Sequence, residues 1–200
     1  MNGRRFAEYR LSAVGVIVLA ATSVAALPDR IFGAEEWLFR LFNDLPDWLE
    51  HPTWPLMQLG AVVAVPVVAV IVWLIRREWR LPTALLAAGG AAWVLAKVVK
   101  EIVQRGRPQQ YLTDVNLRPE WDGLGFVSGH AAVAFALVTV VSPHLSRPWR
   151  IVAWTAAAAT ALLRMYTAAH LPLDIVGGAG LGVALGALAR WALIRREAVG

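Results

Sequence analysis

The segment GFVSGHAAVAF, residues 125–135, joins a polar loop to a strongly apolar run. At its centre, Ser128, Gly129 and His130 stand at the start of a predicted helix, 130–145. A serine before a helix caps free backbone N–H groups, and a glycine lets the backbone approach a ligand closely. The N–H groups at a helix start also favour an anion. The segment therefore predicts both the start of a membrane helix and part of an anion-binding site.

The whole chain has the composition of an integral membrane protein. Of its 200 residues, 58% are hydrophobic and only 16% are charged, against about 25% charged in soluble domains. There is no cysteine, which excludes disulfides, thiolate metal sites and a cysteine nucleophile. The formal net charge is +5. Because the basic residues form short clusters between apolar runs, they indicate membrane topology and not nucleic-acid binding.

Six apolar runs are candidates for membrane spans, since a span needs roughly 20 residues. They are residues 11–27, 54–75, 81–99, 130–145, 151–169 and 172–194. The predicted fold is therefore all-α, a six-transmembrane helix bundle that forms a single domain over residues 1–200. A signal peptide is the alternative for the first run, but its length favours an uncleaved helix.

Four basic clusters flank these runs, and with six spans all of them fall on one side. They are Arg4, Arg5 and Arg10; Arg76, Arg77 and Arg80; Arg147 and Arg150; and Arg195 and Arg196. The positive-inside rule makes this side the cytoplasm, with both termini inside a multi-pass cell-membrane protein. On the opposite side, EEWLFRLFNDLPDWLE (35–50) predicts short amphipathic helices at the membrane interface. A loop packed on the bundle is the alternative.

Ionisable side chains gather near the extracytoplasmic ends of the predicted helices. They are Lys97, Lys100, Arg105, Arg107, His130, Arg164, His170 and Asp174. Such residues are costly at membrane depth and are functional candidates by default. Their excess of cations predicts an anion pocket, because a guanidinium fork matches phosphate oxygens. Lys97 is interpreted as a snorkelling residue and Arg105 as a solvated charge beside the pocket.

His170 and Asp174 are four residues apart, which is one helical turn. Pro172 between them fits the first turn of a helix. The Asp174 carboxylate can accept from one ring nitrogen of His170, which leaves the other as a nucleophile. His130 is then available to protonate a leaving group. The alternatives are a plain helix-dipole role for Asp174 and a zinc site, which the surrounding cations disfavour.

At these residues the sequence resembles the type 2 phosphatidic acid phosphatase (PAP2) superfamily, whose motifs are KxxxxxxRP, PSGH and SRxxxxxHxxxD. Here they read KEIVQRGRP (100–108), VSGH (127–130) and LRMYTAAHLPLD (163–174). The order and both internal spacings agree. Two positions depart, since Val127 replaces the family proline and Leu163 replaces the family serine. Neither substitution removes a reacting group.

The resemblance implies a metal-independent phosphatase without a cofactor. In that family pattern His170 attacks phosphorus, Asp174 orients His170 and His130 protonates the departing oxygen. The phosphoryl oxygens are held by Lys100, Arg107, Ser128, Gly129 and Arg164.

The resemblance also implies a phosphorylated membrane lipid as substrate, bound at the outer leaflet. Polyprenyl diphosphate (undecaprenyl or decaprenyl) is ranked first by analogy. Phosphatidylglycerophosphate, phosphatidic acid and a polyprenyl phosphosugar are the alternatives. A non-catalytic lipid-binding or transport protein is the alternative from another class. Gly178, Gly182 and Gly186 predict close helix packing inside the bundle, with a homodimer contact as the alternative.

Overall fold

The computed structural model describes residues 3–28, 30–118 and 122–197. Every regular element in these ranges is helical, so the predicted all-α class is confirmed. The α-helices are α1 (Gly3–Ala26), α2 (Gly33–Asn43), α3 (Glu50–Met57), α4 (Ala64–Arg76), α5 (Arg80–Val103), α6 (Gly129–Val141), α7 (Arg147–Tyr166) and α8 (Pro172–Glu197).

Three helices in the described ranges are long and apolar enough to cross a membrane, namely Arg5–Ala26, Arg80–Gln110 and Pro172–Leu193. A fourth candidate is the pair Asp47–Gly60 and Ala64–Arg76, which is bent by 74° and forms a broken span or a re-entrant loop. The apolar helix Gly129–His144 is shorter. Length and composition thus support three or four spans, and the count of six stays a prediction.

Residues 54–75, predicted as one span, do not form a continuous helix, because the chain breaks between α3 and α4. Pro66 lies in the first turn of α4, where its missing N–H needs no partner, so it suits a helix start. Gly60 lies just before the break, against the backbone of α6. A Cβ at Gly60 would come within 2.8 Å of His130 Cβ. The break therefore brings the chain close to the start of α6.

Glycines let α8 pack closely on α6. A Cβ at Gly182 would lie 2.8 Å from the backbone nitrogen of Ala136, and Gly178 and Gly186 also face α6. On another face of α8, Gly180 meets Gly15 of α1. The prediction of close packing inside the bundle is therefore confirmed. The three regularly spaced glycines pack against α6 of the same chain.

The basic clusters share one end of the bundle. Arg76 and the turn at His144 and Leu145 line a common cavity of about 150 Å³, and an ion pair joins Glu8 near the start of α1 to Arg190 of α8. The exposed basic residues at this end include Arg77, Arg80, Arg147 and Arg150. The side chains of Arg4, Arg195 and Arg196 lie outside the described part of the chain. That this end faces the cytoplasm stays a prediction.

Helix α2 is amphipathic, as the sequence predicts. Glu35, Phe39 and Asn43 are buried at four-residue spacing, and the helix contacts α7 and α8. Trp37 and Leu41 lie on its exposed face. The helix thus packs one face on the bundle, as in the alternative interpretation of this segment, and covers the end opposite to the basic clusters.

Candidate active site

Two cations of the predicted set hold the loop after α5. Lys100, in the last turn of α5, donates from Nζ to the carbonyl of Gly125 at 2.6 Å. Arg107 donates from Nε to the carbonyl of Asp122 at 2.8 Å and from a terminal nitrogen to that of Ala169 at 2.6 Å. The loop before α6 and the turn before α8 are therefore tied to the end of α5.

Ser128 caps α6, as predicted. It is fully buried, and its Oγ accepts from the N–H of Ala131 at 3.4 Å. Its own N–H donates to the carbonyl of Asp174 at 2.9 Å, which joins the start of α6 to the start of α8. Gly129 opens the helix, and a Cβ there would have Ala96 as its nearest neighbour, at 4.0 Å. The start of α6 thus keeps open space beside its first N–H groups.

A tight turn between α7 and α8 places His170 beside Arg164. The carbonyl of Arg164 accepts from the N–H groups of Ala169 at 2.9 Å and His170 at 3.2 Å. Ala168 lies in the left-handed region, with φ of 55°, which lets the chain reverse there. Arg164 itself is buried, with 4% of its surface exposed.

His170 and Asp174 are close neighbours, but the structure does not contain the predicted hydrogen bond between them. Both are buried, and His170 Nδ1 lies 3.5 Å from Asp174 Oδ2, which is longer than a hydrogen bond. The same oxygen accepts from the N–H of Leu171 at 2.9 Å. Within the described part of the chain, His170 Nδ1 has no hydrogen-bond partner.

The electrostatic surroundings of His170 keep its imidazole neutral. Burial lowers its pKa well below the ordinary value, and the neighbouring positive charges lower it further. In order of effect, these neighbours are Lys100, Arg164, Arg107 and His130. Residues from three separate segments of the sequence therefore lie around one neutral imidazole ring.

Arg105 is not a solvated charge, and that interpretation is wrong. Its guanidinium is fully buried between two carboxylates, those of Glu35 in α2 and Asp174 in α8. One terminal nitrogen donates to Glu35 Oε1 at 3.2 Å and to Asp174 Oδ1 at 3.1 Å. The other donates to Glu35 Oε2 at 2.8 Å. By contrast, Lys97 lies on the exposed face of α5, over the Trp93 ring.

Sequence reasoning missed Glu35. The signal that could have revealed it is a carboxylate in the stripe that also contains Phe39 and Asn43, a stripe the structure buries. A charge in the buried stripe of an amphipathic helix is rare unless it is paired.

A second buried cluster, also missed, fixes α2 to the end of α7. Arg118 donates to the carbonyls of Asn43 at 2.9 Å and Tyr166 at 2.8 Å, and from Nε to Asp47 at 2.8 Å. The Asn43 amide donates to the carbonyls of Asn116 at 2.9 Å and Tyr166 at 3.1 Å. These bonds hold the outer segment over the turn that carries His170.

An apolar groove of about 340 Å³ runs between α1, α6, α7 and α8. Val14, Phe135, Leu162 and Ile175 are among the side chains that line it. Ile175 directly follows Asp174, so the groove includes the residue next to the buried pair. An apolar channel of this kind suits a hydrocarbon chain.

The side chains that the structure describes do not form an evident metal centre. In residues 3–28, 30–118 and 122–197, no three His, Asp or Glu side chains converge as metal ligands would. The charge that gathers at this site is mostly positive, and it suits an anion.

The sequence model of the PAP2 superfamily matches residues 77–197. This range contains every residue of the predicted site, from Lys100 to Asp174. Among curated proteins, the chain is 31% identical over 116 residues to decaprenylphosphoryl-5-phosphoribose phosphatase of Mycobacterium tuberculosis. The match covers 56% of this chain and 60% of the relative, so the chain spans less than two thirds of that protein's length.

Two crystal structures are similar to this fold. LpxE of Aquifex aeolicus superposes with a TM-score of 0.73 and 27% identity, over 80% of this chain and 96% of LpxE. The PAP2 type phosphatidylglycerolphosphate phosphatase of Bacillus subtilis gives a TM-score of 0.70 at 23% identity, over 96% of this chain and 97% of that protein. At this identity the second likeness concerns the fold alone.

Proposed function

The chain belongs to the PAP2 superfamily, and from that membership we propose that it is a membrane-lipid phosphatase acting through a phosphohistidine. The observation that carries the proposal is His170, which is buried, neutral and next to the Asp174 carboxylate. Cations surround this pair, and a phosphate group is the anion that their geometry suits best.

The first step is to hold the phosphoryl group. In this proposal Arg107, Arg164 and Lys100 supply positive charge to the phosphoryl oxygens, and Arg107 keeps its hydrogen bonds to the carbonyls of Asp122 and Ala169. Ser128 and the free N–H of Gly129 complete the set at the start of α6. Fixed donors of this kind stabilise the charge that develops in the transition state without reorganising at that moment.

The second step is transfer to the histidine. Nε2 of His170 attacks phosphorus while Asp174 Oδ2 accepts from the protonated Nδ1, and the bond from phosphorus to the leaving oxygen breaks. His130 enters this step as the imidazolium and gives its proton to that oxygen, which leaves it neutral and able to act as a base in the next step. A water molecule then attacks phosphorus with His130 as the base, the P–N bond breaks and free phosphate leaves. Each step keeps the phosphoryl group within the same set of donors.

The surroundings of the site favour a lipid substrate. The apolar groove that includes Ile175 can take a hydrocarbon chain while the phosphate stays at the cations. The site lies at the end of the bundle opposite the basic clusters, which the positive-inside rule assigns to the cytoplasm. We therefore propose a cell-membrane enzyme of one domain that acts on lipids of the outer leaflet.

Two polyprenyl lipids are the leading substrates. Polyprenyl diphosphate is the first choice from the sequence, by family analogy. The Mycobacterium tuberculosis relative is named for a decaprenylphosphoryl phosphoribose, which favours a polyprenyl phosphosugar as the second candidate. Both lipids join an apolar tail to a terminal phosphate, so the same pocket could act on either.

Phosphate release by the purified protein in detergent, with EDTA present, tests the proposal. The panel holds polyprenyl diphosphate, a polyprenyl phosphosugar, phosphatidylglycerophosphate and phosphatidic acid. Release that persists in EDTA and disappears in His170→Ala is the expected result, with Lys97→Ala as an active control. Binding without release from any lipid would instead support a non-catalytic lipid-binding protein, and Leu163 would be the first position to restore to serine.

A further inference from the structure

We infer that Glu35 and Arg105 are positioning residues of this site: through Arg105, the α2 carboxylate holds Asp174 in place against His170. The inference rests on the proposed function, because it concerns the same histidine. It extends the site beyond residues 77–197, since Glu35 lies in the outer segment that precedes the matched region.

The contacts form one continuous buried chain. The Arg105 nitrogen that bonds Glu35 Oε1 also bonds Asp174 Oδ1, at 3.2 and 3.1 Å. The side chains of Arg105 and Asp174 are fully buried, and that of Glu35 is 7% exposed. In this geometry neither carboxylate can move without disturbing the guanidinium that bridges them.

Arg105 sets both the charge and the direction of Asp174. A buried carboxylate with no cation beside it tends to take up a proton, and it would then stop accepting from the histidine. Arg105 binds Oδ1, which leaves Oδ2 for the N–H of Leu171 and for His170 Nδ1. The carboxylate is therefore held with one oxygen aimed at the ring.

Glu35 offsets the charge that Arg105 brings. A lone arginine on Asp174 would cancel much of the negative charge that stabilises the imidazolium formed during transfer. With both Glu35 oxygens on Arg105, the three side chains together carry a single negative charge. Glu35 Oε1 also accepts from the N–H of Leu173 at 3.1 Å, in the helical turn that carries Asp174. Helix α2 is thus bonded to the same turn as the residue it supports.

Glu35→Gln is the central test, and Glu36→Gln is its matched control. Glu36 is the next residue of α2, is 42% exposed and pairs with Arg40 one turn away. We expect kcat of Glu35→Gln to fall on the order of tenfold, the usual effect of losing a hydrogen bond to a charged group. The KM and the inhibition constant of inorganic phosphate should stay within about threefold, because the phosphate-binding side chains are not changed.

A purely structural role gives a different pattern. If Glu35 only fastened α2, its loss would loosen the pocket, and KM and the inhibition constant of inorganic phosphate would rise together with the fall in kcat. That result would overturn the inference. Glu35→Asp keeps the negative charge on a shorter side chain, so it replaces Glu35→Gln in the test if that variant does not fold. For Glu35→Asp we expect a smaller loss, again confined to kcat.

The double variant supplies a second readout. Arg105→Gln leaves the carboxylates of Glu35 and Asp174 facing each other without a cation, and we expect kcat to fall on the order of a hundredfold. Arg105→Gln combined with Glu35→Gln removes one of the two carboxylates and should recover part of that loss. If the fold-loss in kcat of the double variant equals the product of the two single-variant losses, coupling through Arg105 is contradicted.

The outcomes separate the inference from the proposed function. If the wild type and Glu36→Gln release no phosphate from any lipid of the panel, the proposed function fails and the inference fails with it. If both are active and Glu35→Gln matches them in kcat, the inference alone fails.

Discussion

Asparagine at position 174 would test the pair on which the proposed mechanism depends most. In the structure, Asp174 Oδ1 accepts from Arg105, and Oδ2 accepts from the N–H of Leu171 and faces His170 Nδ1. Both oxygens therefore face donors. Asparagine has nearly the same shape but offers one oxygen and one NH₂ group. In either orientation its NH₂ must point at a donor.

The two orientations harm the site in different ways. With the amide oxygen on Arg105, the NH₂ faces His170 and favours the tautomer with its proton on Nε2, the atom that must attack. With the oxygen on His170, the NH₂ faces Arg105, and a buried donor loses its partner. Either way the carboxylate that stabilises the imidazolium is gone.

The size of the effect follows from a comparable pair. In serine proteases, replacing the buried aspartate of the His–Asp pair by asparagine lowers kcat by about 10⁴. The 3.5 Å separation here is longer than a formed hydrogen bond. We therefore expect a loss in kcat of about 10³ to 10⁴, which is about 4 to 5.5 kcal/mol in the activation free energy.

The assay follows formation of the phosphoenzyme in a single turnover, beside steady-state phosphate release. Inhibition by inorganic phosphate should change by less than about threefold, because Asp174 does not contact the phosphate in the proposed mechanism. Lys97→Ala is the control, since Lys97 lies one turn before Lys100 on the exposed face of α5. A loss below about thirtyfold, or one that Lys97→Ala reproduces, would refute the proposed role of Asp174.

Three further predictions follow from the packing and the pH behaviour of the site. Gly182→Leu should destabilise the protein by about 1 to 3 kcal/mol, because a Cβ at this position meets the backbone of α6. Thermal unfolding in detergent measures the loss. Gly90→Leu is the control, since a Cβ at Gly90 has open space. Leu163→Ser should change kcat by less than about fivefold, since Leu163 lies outside the contacts that hold His170; a tenfold gain would give this side chain a direct role. Below pH 6.5, the ordinary pKa of histidine, the melting temperature of the wild type should fall more steeply with pH than that of His170→Gln. The reason is that His170 takes up a proton in the unfolded chain but stays neutral when it is buried in the folded protein. Equal slopes for the two proteins would contradict the lowered pKa of His170.

The parts of the site that the sequence predicts are those that depend on local spacing. Ser128 caps α6 because it directly precedes the first helical turn. His170 and Asp174 meet because four residues make one turn, and Pro172 starts α8 between them. Such relations are contained in a few neighbouring residues, so they can be recognised without knowing the rest of the fold.

The parts that the sequence did not predict depend on distant partners. Arg105 follows a helix in a polar segment, and this context suggests a solvated charge. Its burial depends on Glu35, seventy residues earlier, and on Asp174, sixty-nine residues later. The break before α4 is similar, because Gln58 is the only polar side chain in the run 54–75 and does not by itself indicate a bend. The contact between Gly60 and His130, which are distant in sequence, helps to explain where the bend lies.

Charge balance gives a reason for placing a buried arginine in a site where it is not proposed to contact phosphate. Three cations are proposed to hold the phosphate, namely Lys100, Arg107 and Arg164. Glu35, Arg105 and Asp174 together carry one negative charge, so these six side chains have a net charge of +2, not counting the proton that His130 carries as the acid. A phosphate monoester carries about −1.5 to −2 near neutral pH, so substrate and pocket nearly neutralise each other, as burial in a low-dielectric site requires. Without Glu35 the bridging Arg105 would leave excess positive charge beside Asp174, which would oppose the cationic imidazolium that transfer must form. The outer helix α2 therefore adjusts the charge of the site for turnover and not for binding, which is why its loss should lower kcat while KM stays nearly unchanged.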